Sequence, residues 1–152
     1  MGYQFPFKIA VFDLDRTLWN GTRLYEDSLK ILKALTEAGV ITYIASFHQK
    51  AEQACNNLEI SKYLTGIEYG RTRNKAQMIS DILSKHSGID QTDVCFFDDQ
   101  IKNIALVKTQ MGIKGVHVRG GIKWRDLITF PTFTLPSSSL GFQHTSCAMV
   151  KA

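Results

Sequence analysis

Residues 8–19 read KIAVFDLDRTLW, and the change of character in the middle of this stretch decides the fold. Its first half, Lys8 to Phe12, is a short apolar run, partly β-branched, with the composition of a buried strand. The acidic residues that follow place Asp13 at the carboxyl end of that strand. Outward from there, Leu24, Leu29, Ile31, Leu32 and Leu35 recur at helical spacing up to Gly39, a suitable C-cap. Val40 to Ala45 (VITYIA) reads as a second strand, and residues 49–58 as an amphipathic helix. Ile67 to Tyr69 is a short third strand, and Lys75 to Lys85 carries Met78, Ile79, Ile82 and Leu83 on one helical face. Asp93 to Phe97 (DVCFF) is a fourth strand that ends in Asp98 and Asp99. Ile101 to Met111 forms a helix, and Gly115 to Val118 (GVHV) a fifth strand.

Strands alternating with helices of this length predict an α/β fold of three layers, a central parallel sheet with helices on both faces. In such sheets ligands bind outside the carboxyl ends of the strands, near the point where strand order reverses. Three of the predicted strands end in polar residues there: Asp13, Ser46 and Asp98. Beyond Gly121 the sequence supports one helical turn, from Trp124 to Ile128, and then an irregular or partly disordered tail with Pro131, Pro136 and the Ser137 to Ser139 run. The expected organisation is therefore one domain over residues 1–129 and a tail over 130–152.

Composition narrows the field. With 152 residues, 44% of them apolar, the chain suits one domain with an ordinary core and has no room for a second. The net charge of +4 is a mild excess with no long basic run, so nucleic acid is not the expected partner. Cys55, Cys95 and Cys147 are widely spaced and lack a CxxC or nearby histidine pattern, which argues against a disulfide framework and a zinc site. A reducing compartment is expected, the cytoplasm first and the nucleus also admissible. No signal peptide precedes the first strand and no apolar stretch reaches a membrane-spanning length, so no membrane partner is expected.

The acidic residues carry the chemistry. Asp13 and Asp15 lie two positions apart directly after a strand. Two close carboxylates repel, and a hard divalent cation with a preference for oxygen ligands is the usual way to hold them ionised. A solvated turn is the plainer reading of the pair. Asp98 and Asp99 follow the fourth strand, whose tip can lie beside the first, so four carboxylates can converge; one of this pair can instead cap the following helix. Ser46 serves either as an N-cap or as a hydroxyl that holds a phosphoryl oxygen beside helix N–H groups. Lys75 opens a helix, the wrong end for a cation in the helix dipole. It is accounted for if it faces phosphate and acidic groups; a solvated lysine is the rival reading.

Taken in order, DLDRT, IASFH, Lys75 and FFDDQIKN resemble the four motifs of haloacid dehalogenase (HAD) type phosphatases. The DLD-x-TLW start, FFDD-x-x-x-N and GVHVRGG are most similar to the capless, magnesium-dependent phosphatase group, over about residues 8–128. The resemblance implies a Rossmann-like HAD fold and a phosphoric monoester hydrolase. It implies Asp13 as nucleophile, giving an aspartyl-phosphate, and Asp15 as general acid and base. It implies Mg2+ held by Asp13, Asp98 and the backbone carbonyl of Asp15. Ser46 and Lys75 would bind the phosphoryl group, while Thr17, Asp99 and Asn103 would support the site.

The second motif departs from the pattern. Phe47 follows Ser46 where a basic residue is expected, so this substrate-binding position loses a charged contact that His48 can replace only in part. Arg16 adds a positive charge near the mouth, which Arg71 and Arg73 either join or leave as ordinary surface charges. The intervals between Thr17, Ser46 and Lys75 leave no room for a cap domain, so an open site is expected. The expected substrate is phosphoprotein, through phosphotyrosine or phosphoserine and phosphothreonine. The alternatives are a small sugar phosphate, or a non-catalytic interaction module that kept the fold.

Overall fold

The structure, a computed structural model, describes residues 3–127. Five strands form one parallel sheet in the order β3-β2-β1-β4-β5. They are β1 (Ile9–Phe12), β2 (Ile41–Ser46), β3 (Gly66–Tyr69), β4 (Val94–Asp98) and β5 (Lys114–His117). Five helices connect or follow them: α1 (Ser28–Glu37), α2 (Ala51–Asn57), α3 (Lys75–Leu83), α4 (Ile101–Met111) and α5 (Trp124–Leu127). The chain moves outward from β1 to β3, then returns to the other side of β1 to place β4 and β5. Strand order therefore reverses between β1 and β4, and the crevice at their carboxyl ends is where such a sheet binds ligands.

All four residues of β1 and all five of β4 are buried, as expected for central strands covered on both faces. Alternation along them fills two cores. Ala10, Phe12, Cys95 and Phe97 pack with Ile31, Leu32 and Leu35 of α1 and Cys55 of α2 on one face. Ile9, Val11, Val94 and Phe96 pack with Met78, Ile79 and Ile82 of α3 and Val107 of α4 on the other. These are the three layers and the parallel sheet that the sequence predicts, and no cap domain interrupts the described residues. No described helix is long and apolar enough to cross a membrane.

Local chemistry sets the boundaries that differ from the sequence reading. Leu24 lies outside α1; it forms an isolated bridge with Trp19. The helix starts later because Ser28 is tied down, its hydroxyl donating to the Leu18 carbonyl at 2.7 Å. α2 begins at Ala51, so Ser46 is not its N-cap. α3 starts where Asn74 and Gln77 form a reciprocal capping box, which fixes Lys75 as the first helical residue. The expected tail, residues 130–152, lies outside the described residues, as does Cys147. Near the end of the described chain, the Ile122 N–H donates to the Thr17 carbonyl at 2.8 Å and binds this segment to the loop after β1. Gly121 is required beside it. It adopts φ +92°, and a Cβ there would stand 2.3 Å from the Tyr25 ring.

One charge network, centred on the buried Glu68, braces the β3 edge. The Glu68 carboxylate accepts from Arg73 at 2.8 Å and from Lys85 at 2.7 Å, and Arg73 also pairs with Asp81. Burial pushes the Glu68 carboxyl up, but its hydrogen bonds with Lys85 and Arg73 outweigh this and hold it below the ordinary value of 4.5. A depressed carboxyl contributes stability that is complete above its unfolded pKa and is lost as pH falls through the folded one. Glu68→Gln is accordingly expected to cost about 1–3 kcal/mol at neutral pH. Urea unfolding of both proteins should show that gap closing on acidification to about pH 3.

Candidate active site

The site follows from register. Phe12 pairs with Phe97 across β1 and β4, their rings stacked with centroids 4.6 Å apart. The next residues, Asp13 and Asp98, therefore leave adjacent strand tips side by side, and the Asp13 N–H donates to the Phe97 carbonyl at 2.9 Å. Both carboxylates are buried. Between them sits the Lys75 ammonium, completely enclosed, 2.9 Å from Asp13 Oδ1 and 2.8 Å from Asp98 Oδ2. Its aromatic surroundings are Phe47, with the ring centroid 4.9 Å from Nζ, and Phe96, at 5.6 Å. Both distances are within cation–π range.

Each carboxylate has further partners. Thr17 Oγ1 donates to Asp13 Oδ2 at 3.3 Å. Asn103 Nδ2 donates to Asp98 Oδ2 at 3.1 Å, and the Gln100 N–H to Asp98 Oδ1 at 2.8 Å. Asp98, rather than Asp99, thus receives the N–H at the entry to α4. Burial pushes the Asp13 carboxyl up to about 8, with the Lys75 charge pulling against this and the Asp98 charge adding to it. Three ligand oxygens, one each from Asp13, Asp98 and Asp99, can lie within 4.8 Å of one another. That all-oxygen, partly buried donor set fits a hard divalent cation.

An open cleft of about 270 Å3 lies above this floor. Asp13, Asp15, Phe47, Asp99 and Asn103, all singled out from the sequence, line it. Gln100 and the cations Arg16 and Lys102 complete the lining. Asp15 is exposed, and its Oδ1 accepts a 2.8 Å hydrogen bond from the Trp19 indole. Ser46 is buried at the end of β2, with Oγ accepting from the His48 N–H at 3.0 Å. It touches neither Lys75 nor Asp13 by hydrogen bond. Arg73 turns away into the Glu68 network, and Arg71 is exposed outside the cleft lining. Sequence reading gave no role to Trp19 or Lys102. Trp19 carried a signal in its position four residues after Asp15; Lys102 carried one as a cation in the first turn of a helix, as Lys75 does.

The acid phosphatase family model matches residues 20–129. The chain belongs to this family. It is a HAD-type phosphatase, a phosphoric monoester hydrolase. It is similar to human magnesium-dependent phosphatase 1, with 27% identity over 79% of this chain and 82% of that protein. The fold is shared with a haloacid dehalogenase-like hydrolase from Streptococcus pneumoniae, at TM-score 0.65 and 14% identity over 82% of this chain and 90% of that one. It is shared also with the cobalt-bound deoxy-D-mannose-octulosonate 8-phosphate phosphatase of Haemophilus influenzae, at TM-score 0.56 and 13% identity over 80% and 84% of the two chains.

The floor of the phosphatase site sets one ammonium against two buried carboxyl groups. Removing the ammonium leaves the carboxylates uncompensated, so Lys75→Met should destabilise the protein by about 3–5 kcal/mol in the absence of divalent cations. Asp13→Asn, which leaves one carboxylate for one ammonium, should cost less. Denaturant unfolding in EDTA compares the two, and equal losses would contradict this account.

Proposed function

We propose that this phosphatase cleaves phosphate monoesters through a covalent aspartyl-phosphate on Asp13, with Mg2+ as its cation. The observation that carries the reading is the convergence of Asp13, Asp98 and Asp99 at the strand tips, with Lys75 between the first two. The similarity to a magnesium-dependent phosphatase favours that ion. Asp13, Asp98 and the Asp15 carbonyl would hold it, with Asp99 near enough to contribute or to position a ligand. Bound there, Mg2+ supplies positive charge against the carboxylates and the phosphoryl oxygens.

The protein's own residues account for the remaining steps. A carboxylate oxygen of Asp13 attacks phosphorus while the ester P–O bond breaks, and Asp15 gives its proton to the departing oxygen. Asp15 then takes a proton from water, whose oxygen attacks the phosphorus of the aspartyl-phosphate and frees Asp13 and inorganic phosphate. Lys75 and Ser46 offer the phosphoryl group a cation and a hydroxyl, and Phe47 forms an apolar wall beside it. Thr17 and Asn103 hold the Asp13 and Asp98 carboxylates in place. Trp19 acts as a positioning residue: its indole N–H fixes one Asp15 oxygen and leaves the other for the proton. Preset donors and charges of this kind supply most of the rate enhancement in phosphoryl transfer.

The cleft is open and no cap covers it among the described residues, which favours a phosphorylated side chain of a protein as the substrate. The catalytic unit in this reading is residues 1–129, and the family match also stops at residue 129. The test is a panel of phosphopeptides and sugar phosphates assayed with Mg2+ and with EDTA. Phosphate release should require Mg2+ and favour the peptides. Asp15→Asn should lower kcat by about 10²–10⁴, and Asp13→Asn should abolish both turnover and trapping of beryllium fluoride. No release from any member of the panel would overturn the proposal.

A further inference from the structure

Two cations in the cleft have no task in the chemistry described above. Arg16 and Lys102 both line it and both are exposed. Among the described residues neither side chain makes an ion pair, although Asp15 and Asp99 line the same cleft. The other cation at the site, Lys75, is fully buried between Asp13 and Asp98. The two free cations therefore stand on the solvent side of the cleft.

Both occupy positions that local structure disfavours. Arg16 has φ +62°, a left-handed conformation that non-glycine residues adopt at a cost. The turn imposes it: the Arg16 N–H donates to the Trp19 carbonyl at 2.8 Å, and Thr17 and Leu18 donate back to the Leu14 carbonyl. The other described non-glycine residue with positive φ, Glu59, follows the C-cap of α2, where the Ile60 N–H returns to the Cys55 carbonyl. Arg16 has no such helix to close. Lys102 lies in the first turn of α4, a turn with no acidic residue of its own, where a cation opposes the helix dipole. A glycine and an acidic residue would suit these two backbones better.

We propose that Arg16 and Lys102 form a second anion subsite, which selects phosphate monoesters that carry another anionic group, a carboxylate or a second phosphate, close to the scissile one. The proposal rests on cleavage occurring at Asp13 and Asp15. Lys75 serves the transferring phosphoryl group, while the outer pair takes the second anion. Such an anion can belong to a small ester or to an acidic residue beside a phosphorylated side chain, since the recognising chemistry is the same. Arginine offers the planar fork that carboxylates and phosphates share, and lysine a movable point charge.

The test uses two matched substrate pairs, assayed with Mg2+ on the full chain. One pair is phenyl phosphate and 3-carboxyphenyl phosphate. The other is a phosphotyrosine peptide with flanking glutamates and the same peptide with glutamines. The parent protein should prefer the anionic member of at least one pair, and whichever pair responds identifies the source of the second anion. Arg16→Gly removes the cation and suits the left-handed backbone, so the variant should fold. It and Lys102→Gln should each reduce that preference by about threefold to tenfold, with the double variant losing it. Rates on phenyl phosphate should change by less than about twofold. Raising the salt concentration should erode the preference in the parent and leave the double variant unchanged. Hydrolysis of phenyl phosphate with no preference in either pair, or a preference untouched in the double variant, would overturn the subsite and leave the catalytic reading standing. If the parent hydrolyses none of the four substrates, the catalytic reading fails and the subsite with it.

Discussion

One buried lysine holds the centre of this molecule together. Lys75 is fully enclosed, and its ammonium bridges two carboxylates at the tips of neighbouring central strands. Taking three charged groups out of water is expensive, and the attraction among them repays it only with close geometry and further hydrogen bonds. Thr17, Gln100 and Asn103 supply those bonds. One ammonium does not hold both carboxyls ionised in this buried setting, and burial pushes the Asp13 carboxyl up to about 8. A site built this way is prepared for a further cation, which relieves the imbalance that the fold maintains.

The rest of the architecture serves that placement. Asp13 and Asp98 meet because Phe12 and Phe97 are in register, and they meet at the point where strand order reverses. Lys75 reaches them because the Asn74 and Gln77 capping box makes it the first residue of α3. The segment after β5 is fastened to the loop carrying Asp15 by the hydrogen bond from Ile122 to Thr17. Phe47 has a part here that its chemistry alone obscures. Where a basic side chain would compete for the carboxylates, its ring faces the Lys75 ammonium and excludes water from one side. An apolar residue in this position strengthens the local field of the lysine.

The elements were largely legible in the sequence because hydrophobic runs and their acidic ends mark buried strands strongly. The bounds of α4 agree at both ends, and the other helices and strands are displaced by a few residues. Leu24 fits the helical spacing yet lies outside α1, because spacing does not register the tie between Ser28 and Leu18 that delays the helix. At the site, Asp13, Asp98 and Lys75 could be grouped from order along the chain. Sequence could not separate Asp98 from Asp99 as the acceptor of the Gln100 N–H, since that depends on which side of the sheet the strand end faces. The same limit hid Trp19 and Lys102. Their significance lies in contacts, or the lack of them, between segments brought together by the turn after β1 and the entry to α4.

The central claim is that the strand tips of β1 and β4 form one cation site. Crystals soaked in Mn2+, a stand-in for Mg2+ with a usable anomalous signal, measure this directly. The account predicts a single strong anomalous peak in contact with carboxylate oxygens of both Asp13 and Asp98, lost in Asp98→Ala crystals. A map with no peak between these carboxylates, or with the ion bound elsewhere on the surface, would contradict it.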